Sequence, residues 1–166
     1  MELEKAYASL KKELKLKVTL EELDSIFLIE DYVAKEGFVS NRLERQIVRR
    51  IVDVLSSWIN YLHGLLMSNP NSLISMQESS ILTDADKEKI TKTIDRLMIF
   101  STEYNIIAVK DDKKRSAAFI DDSVASWNKD ISPVVLDFMQ RSNAMWKENL
   151  DRKPTKEKKV KDSMYG

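Results

Sequence analysis

The chain has 166 residues, 43% of them hydrophobic, with three Gly, three Pro and no Cys. That length supports one buried core, the scarcity of Gly and Pro argues against turn-rich β folds, and the missing thiols exclude disulfides, thiolate catalysis and Cys-ligated metal. Lys plus Arg equals Asp plus Glu at 27 each, so no overall field draws in nucleic acid or an anionic membrane, and such binding needs a local patch.

Leu3, Tyr7, Leu10 and Leu14 recur in steps of four, three and four, which predicts a first amphipathic helix over residues 2–15. An isolated helix of that length is marginal in water and has to pack on something. With a charged linker behind it, its stripe is offered to a partner or to a second copy of the chain. Thr19 and Glu22 have the spacing of a capping box, so a second helix starts there and runs to Gly37, a good left-handed terminator. Its charges are mostly acidic: Glu21, Glu22, Asp24, Glu30, Asp31 and Glu36.

The longest predicted helix covers residues 41–67, capped by Ser40 or Asn41. At 1.5 Å per residue it spans roughly 40 Å, enough to cross a small domain. Leu43, Ile47, Val48, Ile51, Val52, Leu55, Trp58, Ile59, Leu62, Leu65 and Leu66 follow helical spacing. From Val54 onward the polar residues are few, and a helix apolar on most sides is covered on most sides. This segment is therefore the expected centre of the fold, with residues 54–67 as core. Its first half is half exposed and carries Arg42, Arg45 and Arg49 on one face, with Arg50 adjacent.

Ser68-Asn69-Pro70-Asn71 breaks the pattern, and the loop over residues 69–82 is expected to pack down through Leu73, Ile74, Met76, Ile81 and Leu82. Thr83 caps the next helix, with acids in its first turn. The buried stripe there reads Ile90, Ile94, Leu97, Met98, Ser101, Tyr104 and Ile107, and residues 106–109 fit either a helix end or a short strand. A shorter helix is expected over residues 116–129. Ser132-Pro133 then reads as a capped start with Pro at the first position, leading into a stripe from Val135 to Leu150. The basic, nearly apolar-free residues 151–166 are expected to be disordered. The expectation is an all-α bundle of five to six helices in one domain over residues 1–150.

No constellation for catalysis stands out. A ferritin-type metal bundle needs Glu-x-x-His, and the single His63 has Asn60 at that position. Glu21 and Asp24 are spaced like a magnesium-binding pair, yet no second helix repeats the spacing, so the acidic helix reads as a solvated face. Asp84-x-Asp86-x-Glu88 lacks the Gly of a calcium loop. His63 reads as a structural core or rim histidine, and Trp58, Trp127 and Trp146 as core anchors. No cofactor, metal or catalytic residue is expected. No apolar run approaches the roughly 20 residues of a membrane span, and no charged-then-apolar leader occurs, so neither membrane contact nor export is expected and the default setting is cytoplasmic.

One cadence points to a family. A long Arg-bearing helix with Val54-Leu55-Ser56-Ser57-Trp58-Ile59 is followed by an irregular loop. Ile81-Leu82-Thr83-Asp84-Ala85-Asp86-Lys87 then opens a helix ending near Ser101-Thr102-Glu103-Tyr104. Over residues 20–105 this resembles the helical domain of GINS subunits, accessory proteins of the replicative helicase, although no small β domain is evident in the last third. The resemblance implies a non-catalytic subunit of a replication complex.

The functional expectation is a scaffold or subunit that binds protein partners, or another copy of itself, through helix faces. Its candidate surface is Arg42, Arg45, Arg49 and Arg50 together with Leu3, Tyr7, Leu10 and Leu14. Two alternatives stay open: a metal-dependent nucleotide-binding bundle using the acidic second helix, and direct nucleic-acid contact through residues 42–50 and the Lys-rich tail.

Overall fold

The computed structural model describes residues 2–152, so the tail expected over residues 151–166 lies outside the described residues from 153 onward. Among the described residues the chain is an all-helical bundle. Its elements are α1 (Glu2–Leu14), α2 (Leu20–Phe27), α3 (Ile29–Glu36), α4 (Leu43–Leu66), α5 (Leu73–Ser79), α6 (Asp84–Lys110), α7 (Lys113–Ser126) and α8 (Ser132–Asp151). A π-helical turn, Trp127–Ile131, joins the last two.

The α4 helix is the axis of the bundle. It packs most extensively on α6, then on α7, and also touches α1, α2, α3 and α5. Ile47, Ile51, Leu55 and Leu62 on α4 are buried in one core cluster with Leu23, Phe27, Ile90, Leu97 and Ile120 from its neighbours and Phe138 from α8. The coverage is one-sided, however. Ser57, Asn60, His63, Gly64 and Met67 are exposed and Trp58 is only partly buried, so residues 54–67 are not core throughout. The reason lies in the spacing: Ser57, Asn60, Gly64 and Met67 return at steps of three and four, so two polar side chains, a glycine and one methionine share a wet face. His63 belongs to that face and is no core histidine.

The helix count exceeds the expectation because the second helix divides and the segment expected as a loop over residues 69–82 contains a short helix, α5. Leu28 takes φ +51°, ends α2 and starts α3. Such a conformation costs a non-glycine residue roughly 1–2 kcal/mol. It is compensated locally: Asp24 Oδ1 accepts a 2.7 Å bond from the Glu30 N–H, and Arg50 Nε donates at 2.7 Å to the Phe27 carbonyl freed by the break. The Thr19–Glu22 and Thr83–Asp86 capping boxes both form, the second with Asp in the Glu position. Gly37 ends α3 in the left-handed region, as expected.

The cap of α4 differs from the expectation. Arg42 holds the N-cap position without a side-chain cap bond, while Ser40 Oγ accepts from the Arg42 N–H. The Ser132-Pro133 break also differs. Pro133 has no N–H for the carbonyl one turn back, and the backbone answers by widening: Ser132 N–H bonds the Trp127 carbonyl five residues earlier. The helix thus runs through from α7 to α8, and Ser132 is helical instead of a cap.

Candidate interaction surfaces

The stripe of α1 is covered by the chain itself. Leu3, Tyr7 and Leu10 are buried and Leu14 half-buried, with α1 lying against α4 and α7. Its attachment is also polar. The Tyr7 hydroxyl and Lys11 Nζ each donate at 2.9 Å to the Val18 carbonyl, and burial raises the Tyr7 pKa. The charged linker is fastened too, because Asp121 on α7 accepts from the N–H groups of Lys17, at 3.0 Å, and Val18, at 3.2 Å. Leu3, Tyr7, Leu10 and Leu14 therefore do not form a free docking surface. Sequence spacing located the stripe correctly; what covers it comes from α4 and α7, both distant in sequence.

The arginine face is largely engaged within the chain. Arg42 pairs with the buried Glu44 through Nε at 2.6 Å and with Asp111 through Nη2 at 2.6 Å. Arg45 also pairs with Asp111, and the two guanidiniums hold that carboxyl down at about 2. Asp111 is the left-handed C-cap of α6, so this cluster fastens the end of α6 to the start of α4. Arg50 lies over the Tyr32 ring, 5.6 Å from its centroid, besides bonding Phe27. Arg49 is exposed and makes no hydrogen bond or ion pair among the described residues. Of the four arginines, it alone keeps its full donor set for a ligand.

The carboxylates of the acidic region have similar internal duties. Glu22 closes its capping box, Asp24 caps α3, and Glu36 accepts from Tyr32 Oη and from Gln46 Nε2. Those bonds keep Glu22 and Glu36 below the usual carboxylate range. Among the described residues no group of three His, Asp or Glu side chains is placed to hold a metal.

Two apolar surfaces remain uncovered, and periodicity flagged neither. The first is the outer side of α6. This helix buries Ile90, Leu97, Phe100 and Ile107, yet Ile99 is 66% exposed, Val109 86%, Met98 42% and Ile106 38%. The helix continues to Lys110, which settles residues 106–109 as helix and moves Met98 off the buried stripe. Two charged side chains beside the strip are bound elsewhere, Arg96 to Asp130 and Glu103 to Arg115. The available signal was the density of apolar residues from 97 to 109, too many for one face of a helix.

The second surface lies at the α5 end. No residue of α5 is buried, and Met67, Leu73, Ile74 and Met76 are exposed. Of the residues expected to pack the loop down, Leu82 does lie against the core and Ile81 is half-buried, while the α5 part is held by polar bonds: Ser79 Oγ to the Leu65 carbonyl, Trp146 Nε1 to Glu78, and Asn149 Nδ2 to Gln77. Between α5 and α8 runs an open groove of about 850 Å³, lined by Ile81, Met145 and Trp146 among others. Arg141 braces it from beneath, bonding both oxygens of Asp86 and the Ile81 carbonyl. That pairing holds the Asp86 carboxyl far below its ordinary range.

No family model, no curated protein and no solved structure matches this chain. No helix among the described residues is long and apolar enough to cross a membrane.

Proposed function

We propose that the protein is a non-catalytic helical scaffold that binds protein partners through helix faces. One observation carries the reading. The chain buries a full core and still leaves the α6 and α5 apolar surfaces open to water, where each exposed apolar group forgoes the gain of burial. The setting we propose for the scaffold, a nucleic-acid-processing complex of GINS-like organisation, is supported by the resemblance over residues 20–105 alone. The engagement of Arg42, Arg45 and Arg50 inside the chain favours protein over direct phosphate contact.

Affinity capture from the source cells, using the wild type beside a Leu73→Glu/Ile74→Glu variant, tests the reading. A partner recovered in fixed ratio with the wild type and lost with the variant supports it. Equal recovery by both proteins, or no stoichiometric partner, overturns it. Loss of affinity for nucleic acid in steep proportion to salt would instead favour phosphate contact, since neutralising phosphates releases counterions.

A further inference from the structure

Building on that reading, we infer that the outer face of α6 pairs antiparallel with the same face of a second copy of this chain. The occupant follows from how charge is distributed along the strip. Asp95 precedes Ile99 by four residues and Lys110 follows Ile106 by four. Both Asp95 and Lys110 are exposed, and neither has a partner among the described residues. Lys92, the other nearby cation, is already bridged to Glu88 on its own helix.

When two such helices run antiparallel with Ile99 level with Ile106 of the other copy, Asp95 comes level with Lys110. The twofold axis repeats that pair at the other end. One register therefore buries four isoleucines in the centre and closes two ion pairs at the flanks, which is the self-complementarity an isologous interface requires. Parallel pairing would set Asp95 beside Asp95 and Lys110 beside Lys110, and would align the two helix dipoles unfavourably. Thr102 falls next to the axis, with Met98 and Val109 on the rim. A single helix face is a small contact, so the dimer belongs to the weak, transient class.

The absence of Cys makes the test clean. In this register Thr102 of one copy is offset from Thr102 of the other by about 1.5 Å along the axis, whereas Thr91 is offset from its own copy by about 35 Å. Both threonines are exposed. Under mild oxidation, Thr102→Cys is expected to form a disulfide-linked dimer, and Thr91→Cys to stay monomeric. Sedimentation equilibrium of the full wild-type chain, from micromolar to millimolar, is expected to show a monomer–dimer equilibrium. Asp95→Lys sets like charges opposite each other and should weaken it at least about tenfold, and the swap Asp95→Lys/Lys110→Asp should restore it.

A monomer throughout the concentration range, equal crosslinking at both positions, or a charge swap that fails to rescue overturns the inference. All these measurements use the purified chain alone. The partner reading is tested in cell material with an α5 variant, so either can fail without the other.

Discussion

The α1 helix and the outer face of α6 carry comparable apolar strips and meet opposite fates. Leu3, Tyr7 and Leu10 on α1 are closed over by α4 and α7, while Ile99, Ile106 and Val109 on α6 face water. An amphipathic helix at a chain end needs a cover, and the chain supplies one. A helix that already buries one stripe has no claim on a second cover. Apolar surface left over after the first stripe is satisfied is therefore the better marker of a partner than an isolated stripe.

The contrast has energetic consequences. Leu10→Ala removes buried packing and is expected to lower stability by about 2–5 kcal/mol, whereas Ile99→Ala should stay within about 0.5 kcal/mol in the monomer. Urea denaturation of the two variants measures both; similar losses would erase the contrast. Next comes Asp86→Ala, which removes the carboxylate half of the α6 capping box and its two hydrogen bonds from Arg141. About 1–3 kcal/mol is expected, and a neutral result would mean that α6 is seated by its apolar face alone.

The other end of α6 responds to pH. Asp111 sits at about 2 in the fold against about 3.9 when unfolded. Its contribution is thus complete above the unfolded value and is lost as pH falls from about 4 towards 2. Denaturation midpoints across that interval should drop less in Asp111→Asn than in the wild type. An identical drop in both would remove the Arg42–Asp111–Arg45 cluster as the clasp. A small gain is expected at the end of α1, where Lys15 takes φ +55°. Lys15→Gly relieves that conformation and should raise stability by about 0.5–1 kcal/mol; a loss would show that the Lys15 side chain contributes something its geometry does not.

Local chemistry was readable in the sequence, and coverage was not. The Thr19–Glu22 box, the Thr83 cap, the Gly37 terminator and the central place of α4 follow from spacings of a few residues. The Leu28 break depends on Arg50 reaching the Phe27 carbonyl from another helix, and no local pattern announces it. The tie from Asp121 to the Lys17 and Val18 amides joins residues more than a hundred apart, and no local pattern announces it either. The same limit explains the candidate surface. Periodicity shows which side of α1 or α6 is apolar; only packing decides whether the chain covers it. Arg42, Arg45 and Arg49 on one face, with Arg50 adjacent, suggested free charge, and Asp111, some 66–69 residues away, took up two of them.

The most direct test of the central contrast is solvent access at methyl groups, read by NMR with a soluble paramagnetic probe. In dilute solution the Ile99, Ile106 and Val109 methyls should broaden strongly while those of Leu3 and Leu10 stay sharp, and raising the protein concentration should protect the first set alone. Equal protection of both sets in dilute solution, or broadening of Leu3 and Leu10, would contradict the account.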